Sequence, residues 1–125
     1  MSKKGFTITL DRERNILRLK TWGFWSSEDA EAFKNEFQEK AKVFTDEPWY
    51  VLADIVDWSV QSTEVQETVQ QSMVFARNHG MKKAANIVSK ALGKMQIKRM
   101  SESSALYFGY FDSEEEAFAW LLEEA

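Results

Sequence analysis

Trp49-Tyr50-Val51-Leu52-Ala53-Asp54-Ile55-Val56 is an almost uninterrupted apolar run that directly follows the chain's one proline, Pro48. A strand with one wet face alternates apolar and polar residues, and this run does not. It reads as a strand covered on both faces, which is the condition of a central strand in a parallel sheet. The segments around it supply the cover. Upstream, Ala30, Phe33, Phe37, Ala41 and Phe44 advance by three or four positions, the spacing of an amphipathic helix. Ser26 stands before that helix with Asp29 three residues on, an N-cap pattern. Earlier still, Phe6, Ile8 and Leu10 alternate, and Leu17 and Leu19 repeat the pattern after the polar break 11–15. Two short alternating runs joined by five polar residues predict an antiparallel hairpin.

Downstream of the central run, a second helix is predicted to begin at Ser62 or Thr63. It carries Val65, Val69, Met73 and Ala76 on one stripe and leaves through Asn78-His79-Gly80, where glycine lets the chain turn out. Residues 84–88 read as a short strand and 92–100 as a helix. The aromatic-dense segment 105–111 reads as a strand. Ser113 and Glu116 have capping-box spacing ahead of a last helix that turns Ala117, Phe118, Leu121 and Leu122 inward. Strands linked through helices require right-handed crossovers and hence parallel neighbours. The expected fold is α/β: one domain over residues 1–125, with a mixed, mostly parallel five-stranded sheet, an N-terminal hairpin and four helices.

Composition narrows the function classes. The 125 residues include 44% hydrophobic and 14% aromatic side chains, enough to fill one core. The absence of cysteine removes disulfides, thiol nucleophiles and thiolate metal sites. No apolar run reaches the ~20 residues of a membrane-spanning helix, and the first residues do not read as a signal peptide. The expected setting is cytoplasmic, and an integral membrane protein is not expected. The net charge of −4 excludes a generally basic nucleic-acid binder. Nucleotide-cradling glycine motifs are absent.

His79 is the only histidine, and its place at a helix exit suits an interaction with the helix's negative end better than catalysis. Asp54 and Asp57 stand at the end of the central strand, where α/β sheets bind ligands, yet two carboxylates are too few for a metal. No catalytic set, cofactor or metal site is legible, so the expectation is a protein that is not an enzyme. A hydrolase built on a serine, His79 and Asp54 is the residual alternative.

The element order resembles the STAS domain, the fold of anti-sigma-factor antagonists and of sulphate-transporter cytoplasmic tails. The ending, Ala105-Leu106-Tyr107-Phe108-Gly109-Tyr110-Phe111-Asp112-Ser113-Glu114-Glu115-Glu116-Ala117-Phe118-Ala119-Trp120-Leu121, is similar to the SpoIIAA-like branch, which closes on an apolar strand, an acidic turn and an Ala followed by Trp-Leu. The resemblance implies helices packed largely on one face of the sheet and a kinship in shape to CRAL-TRIO lipid-transfer domains. It also implies a regulatory switch: antagonist STAS domains carry a phosphorylatable serine in an Asp-Ser-Ser-Gly-like turn opening the second helix. Ser62 and Thr63 are the candidate switch-position hydroxyls. The turn Trp58-Ser59-Val60-Gln61-Ser62-Thr63-Glu64 lacks both the aspartate and the glycine, and Glu64 stands where a small residue is expected. The resemblance therefore implies an interaction module without an intact phosphoswitch.

Charge is unevenly distributed. Residues 68–101 contain no acid and seven bases, which leaves 9 of the 16 bases against all 20 acids elsewhere, or −11. Lys82, Lys83, Lys90, Lys94, Lys98 and Arg99 are the candidate surface for an anion or an acidic partner. Trp22, Trp25 and Trp58 are the candidate aromatic contacts or pocket walls. The partner expected from these features is another protein or a second copy. A small carrier of an apolar or anionic lipid-like ligand is the alternative, and nucleic acid is not expected.

Overall fold

The computed structural model describes residues 3–44, 47–88 and 108–123. Strands β1 (Gly5–Asp11) and β2 (Ile16–Gly23) form the hairpin, followed by helix α1 (Ser27–Ala41) and strand β3 (Trp49–Trp58). Helix α2 (Thr63–Asn78), strands β4 (Met81–Ile87) and β5 (Phe108–Phe111) and helix α3 (Glu114–Leu121) complete the order. The predicted helix at 92–100 lies outside the described residues, as do positions 105–107 of the predicted last strand.

The five strands lie side by side in chain order, so β3 occupies the centre. Only β1 and β2 are antiparallel; β2–β3, β3–β4 and β4–β5 are parallel. The continuous apolar run of β3 is explained by alternation between two cores. Val51, Ala53 and Ile55 join the larger cluster with Phe33 and Phe37 of α1 and Val65 and Val69 of α2. Leu52 points the other way, into a smaller cluster with Ile16, Ile87, Ala117 and Leu121. The helices are thus not confined to one face: α1 and α2 cover one side and α3 the other. Ile16 and Leu52 are the reason, since each presents an apolar side chain to the second face.

Two boundaries differ from the sequence reading. Strand β4 begins at Met81 and not at residue 84, so Lys82 and Lys83 are strand residues. Lys83 is accommodated because its ammonium donates to the carbonyls of Trp120 (3.1 Å) and Glu123 (3.2 Å) and lies 4.9 Å from the Trp120 ring centroid. A cation at a helix C-terminus meets the negative end of the backbone dipole. At that same end Leu122 is 46% exposed instead of inward, because α3 stops at Leu121.

Helix α2 buries Thr68 and Ser72 along with Val65, Val69 and Ala76. Met73, expected on that stripe, is only half-buried. The stripe is therefore part polar, which apolar periodicity alone does not disclose.

Candidate functional site

Parallel β2 and β3 end at the same edge of the sheet, and each feeds a helix through a short loop, residues 24–26 and 59–62. Gln61 ties the loops together from inside, being only 4% exposed. Its Oε1 accepts from the Trp25 backbone N–H at 2.8 Å, and its Nε2 donates to the carbonyls of Gly23 (2.9 Å) and Ser59 (2.7 Å). The Ser59 N–H adds a backbone bond to Gly23 at 3.2 Å. Gly23 has φ +81°, and a Cβ there would stand 2.3 Å from the Lys3 carbonyl oxygen, so the chain must pass this point as glycine.

The two helix N-termini beside these loops are both capped. Ser26 Oγ accepts from the Asp29 N–H (3.2 Å), and Asp29 accepts from the Ser26 N–H (2.8 Å). The ammonium of Lys4, 2.7 Å from Asp29, together with the Ser26 donors holds the Asp29 carboxyl below its ordinary range. Ser62 Oγ accepts from the Val65 N–H at 3.2 Å and caps α2. Ser62, Thr63 and Glu64 are exposed. The candidate switch hydroxyls therefore stand at an accessible helix start, with Ser62 already serving as its cap.

The aromatic residues divide. Trp25 and Trp58 are 1% and 5% exposed, with ring centroids 5.1 Å apart in an edge-on contact. They are core residues and walls of an internal cavity, not outward contacts. Trp25 is drawn in by Phe6 and Phe33, at 5.8 and 5.3 Å, and by an indole bond to the Trp22 carbonyl. Trp22 is half-buried, its ring so close above Gly5 that a Cβ there would lie 2.8 Å away. The outward positions belong to Phe24, 58% exposed, and Val60, 48% exposed, one on each clasped loop. The sequence reading places Phe24 with Trp22 and Trp25 in one aromatic edge without choosing which ring faces solvent, and it singles out neither Val60 nor Gln61. The available signal was weak: an aromatic pair, Phe24-Trp25, in which only one ring can enter the core.

The other candidates lie elsewhere. His79 closes α2 at the end opposite this site, about 24 Å along a 16-residue helix. Its ring stacks on Phe75 at 4.0 Å, and Nδ1 donates to the Phe75 carbonyl at 2.7 Å. Asp54 accepts from the Val56 N–H at 3.2 Å, and Asp57 is exposed. A serine, His79 and Asp54 are not brought into a triad. Of the basic window, Lys82 is exposed and Lys83 is engaged with α3, whereas Lys90, Lys94, Lys98 and Arg99 lie outside the described residues. No helix among the described residues is long and apolar enough to cross a membrane.

No family model and no curated protein matches the chain. Solved structures do. An uncharacterized DUF3478-family protein with a SpoIIAA-like fold from Shewanella loihica PV-4 superposes with a TM-score of 0.75 at 18% identity, covering 97% of each chain. An anti-sigma factor antagonist from Mycobacterium paratuberculosis superposes with a TM-score of 0.59 at 9% identity, covering 95% of this chain and 96% of that one. The fold is accordingly of the STAS, SpoIIAA-like type, α/β with a mixed five-stranded sheet.

Proposed function

We propose that this protein is a non-catalytic interaction module that docks a protein partner through the end of the sheet carrying Phe24 and Val60. The observation that carries the reading is the Gln61 clasp. A buried side chain with three hydrogen bonds holds two loops, each of which presents one apolar residue, Phe24 or Val60, to water. Holding a phenylalanine out of the core forgoes burial worth about 1.5–3 kcal/mol. That cost is recovered when a partner covers it. Glu28 and Glu64 in the adjoining first helical turns give the patch an acidic rim. The partner surface that fits is an apolar pocket edged with lysine or arginine. The similarity in fold to a protein described as an anti-sigma factor antagonist supports the same reading.

The test compares the wild type with the Phe24→Asp, Val60→Asp double variant in affinity purification from the native cell and in sedimentation. Exposed substitutions should leave stability within about 0.5 kcal/mol. A stoichiometric protein retained by the wild type and lost by the folded variant is the expected result. Equal retention overturns the reading, and an oligomer that dissociates in the variant would make the partner a second copy.

The proposed module works without the ancestral switch. A phosphate at the start of α2 would gain from the helix dipole. Here it would also face Glu64 in the first turn and displace the Ser62 cap. Phosphopeptide mapping of protein from growing cells is expected to find Ser62 and Thr63 unmodified; substantial occupancy of either would reinstate a phosphoswitch.

A second reading, a small carrier, draws on the internal cavity walled by Trp25 and Trp58.

A further inference from the structure

The two ends of the sheet differ in a complementary way. Strand β3 runs ten residues from Trp49 to Trp58, about 30 Å at the rise of a strand. Beyond Trp58 lie the clasped loops with Phe24 and Val60 outermost, edged by Glu28 and Glu64. Before Trp49, where α1 and α2 finish and β3 and β4 begin, the surface opens into a groove of about 470 Å³. Its apolar part is Ala41, Phe44 and Pro48, and its basic part is Lys42, just past α1, and Lys82 of β4, both exposed. Lys82 makes no ion pair among the described residues. Lys42 meets Glu39 at 3.2 Å, an exposed pair that leaves its charge largely in water. Glu47, the one carboxylate among the described lining residues, accepts from the Asn15 amide at 2.9 Å.

We infer that the partner of the Phe24–Val60 end is a second copy of this chain, which receives Phe24 in the groove at its opposite end. The inference rests on the docking reading above and names its partner. The match is twofold: an exposed aromatic ring meets an apolar recess, and two glutamates meet two lysines. The backbone favours the same sense of docking. The starts of α1 and α2 in one copy, the positive ends of their dipoles, approach the negative ends of α1 and α2 in the next. A two-fold dimer through the Phe24 faces would instead set Glu28 and Glu64 against their own counterparts, like charge against like. Because the complementary surfaces lie at opposite ends, the contact is heterologous. Each added copy leaves one end open, and assembly continues past a dimer into a chain or a ring. One aromatic anchor and two charge pairs make a small contact, of the weak and concentration-dependent kind.

Sedimentation of the purified full chain at concentrations up to about 1 mM is the test. The weight-average mass is expected to rise past that of a dimer. Phe24→Asp, Val60→Asp removes the projecting end, and Lys42→Glu, Lys82→Glu reverses the charge beside the groove. Each double variant alone should associate about tenfold or more weakly, the second because like charges then face each other. Mixed in equal amounts, the two should form a one-to-one dimer and nothing larger, because each retains one intact end. A two-fold contact cannot be rescued by such mixing. A wild type that stays monomeric at about 1 mM overturns the inference. So does a groove variant that associates like the wild type, or a mixture that stays monomeric. The docking reading is judged separately. If the wild type is monomeric yet retains another protein that Phe24→Asp, Val60→Asp loses and the groove variant keeps, the docking end stands and the second copy falls. If the wild type is monomeric and retains nothing, both fall. Should circular dichroism show that the glutamate variant does not fold, Lys42→Gln, Lys82→Gln replaces it with the same outcomes.

Discussion

Replacing Trp25 with alanine is expected to destabilise the protein by about 3–5 kcal/mol, the range for large aromatic truncations in a core. The ring is 1% exposed and meets Phe6, Phe33 and Trp58 at centroid separations of 5.1 to 5.8 Å. Its indole N–H also donates to the Trp22 carbonyl at 3.2 Å, closing the turn between β2 and α1. The truncation would enlarge a cavity that already exists at that point, so relaxation of the neighbours cannot refill it. Against a total stability of about 5–15 kcal/mol, such a loss brings the unfolding midpoint close to ordinary conditions. Urea unfolding followed by circular dichroism measures it. A change below about 1 kcal/mol would mean that the aromatic cluster contributes far less than its burial implies. Trp25→Phe retains most of the contacts and should fall between the two.

The second large effect is expected at Gln61. Alanine there strands the Trp25 N–H and strips a donor from the Gly23 and Ser59 carbonyls, three groups at 2.7–2.9 Å from the amide. Leaving buried groups of this kind unsatisfied costs about 1–3 kcal/mol each. A loss of about 2–4 kcal/mol is expected, since part of that backbone can recover bonds to water. Gln61→Glu separates charge from shape. It preserves the acceptor toward Trp25 N–H but turns the second oxygen against two carbonyls, so it should be no more stable than alanine at neutral pH and should recover when acid protonates the carboxyl. Both variants should also weaken partner docking beyond their effect on stability, because the loops bearing Phe24 and Val60 lose their tie. Chemical denaturation across pH checks the first claim, and the affinity purification described for the docking face checks the second.

Much of the architecture is legible in the chain because it depends on local periodicity. The unbroken apolar run of β3 implies cover on two faces, and alternation of Val51, Ala53 and Ile55 against Leu52 is how the structure achieves it. Ser26 with Asp29, and Ser113 with Glu116, announce helix starts because a cap is made within one turn. The hairpin follows from two alternating runs whose register pairs Ile8 with Leu19.

The candidate site is legible only in part. Thr21 continues the inward series Leu17, Leu19, and Ser72 lies between Val69 and Ala76 at helical spacing, so their burial is implied by position. That both line one internal cavity is not, because it depends on what separate elements bring to one point. Phe24 and Trp25 are neighbours with similar preferences, and the Gln61 amide on another loop is what seats Trp25 inward and leaves Phe24 in water. Likewise Lys83 reads as part of a charged surface until α3 places two carbonyls beside its ammonium. Most of the described strands, helices and caps are legible in the chain, since they arise from contacts a few residues apart. Tertiary structure alone decided which aromatic faces solvent, which lysine is committed and which hydroxyls line a cavity, because each depends on contacts between residues 30 or more positions apart.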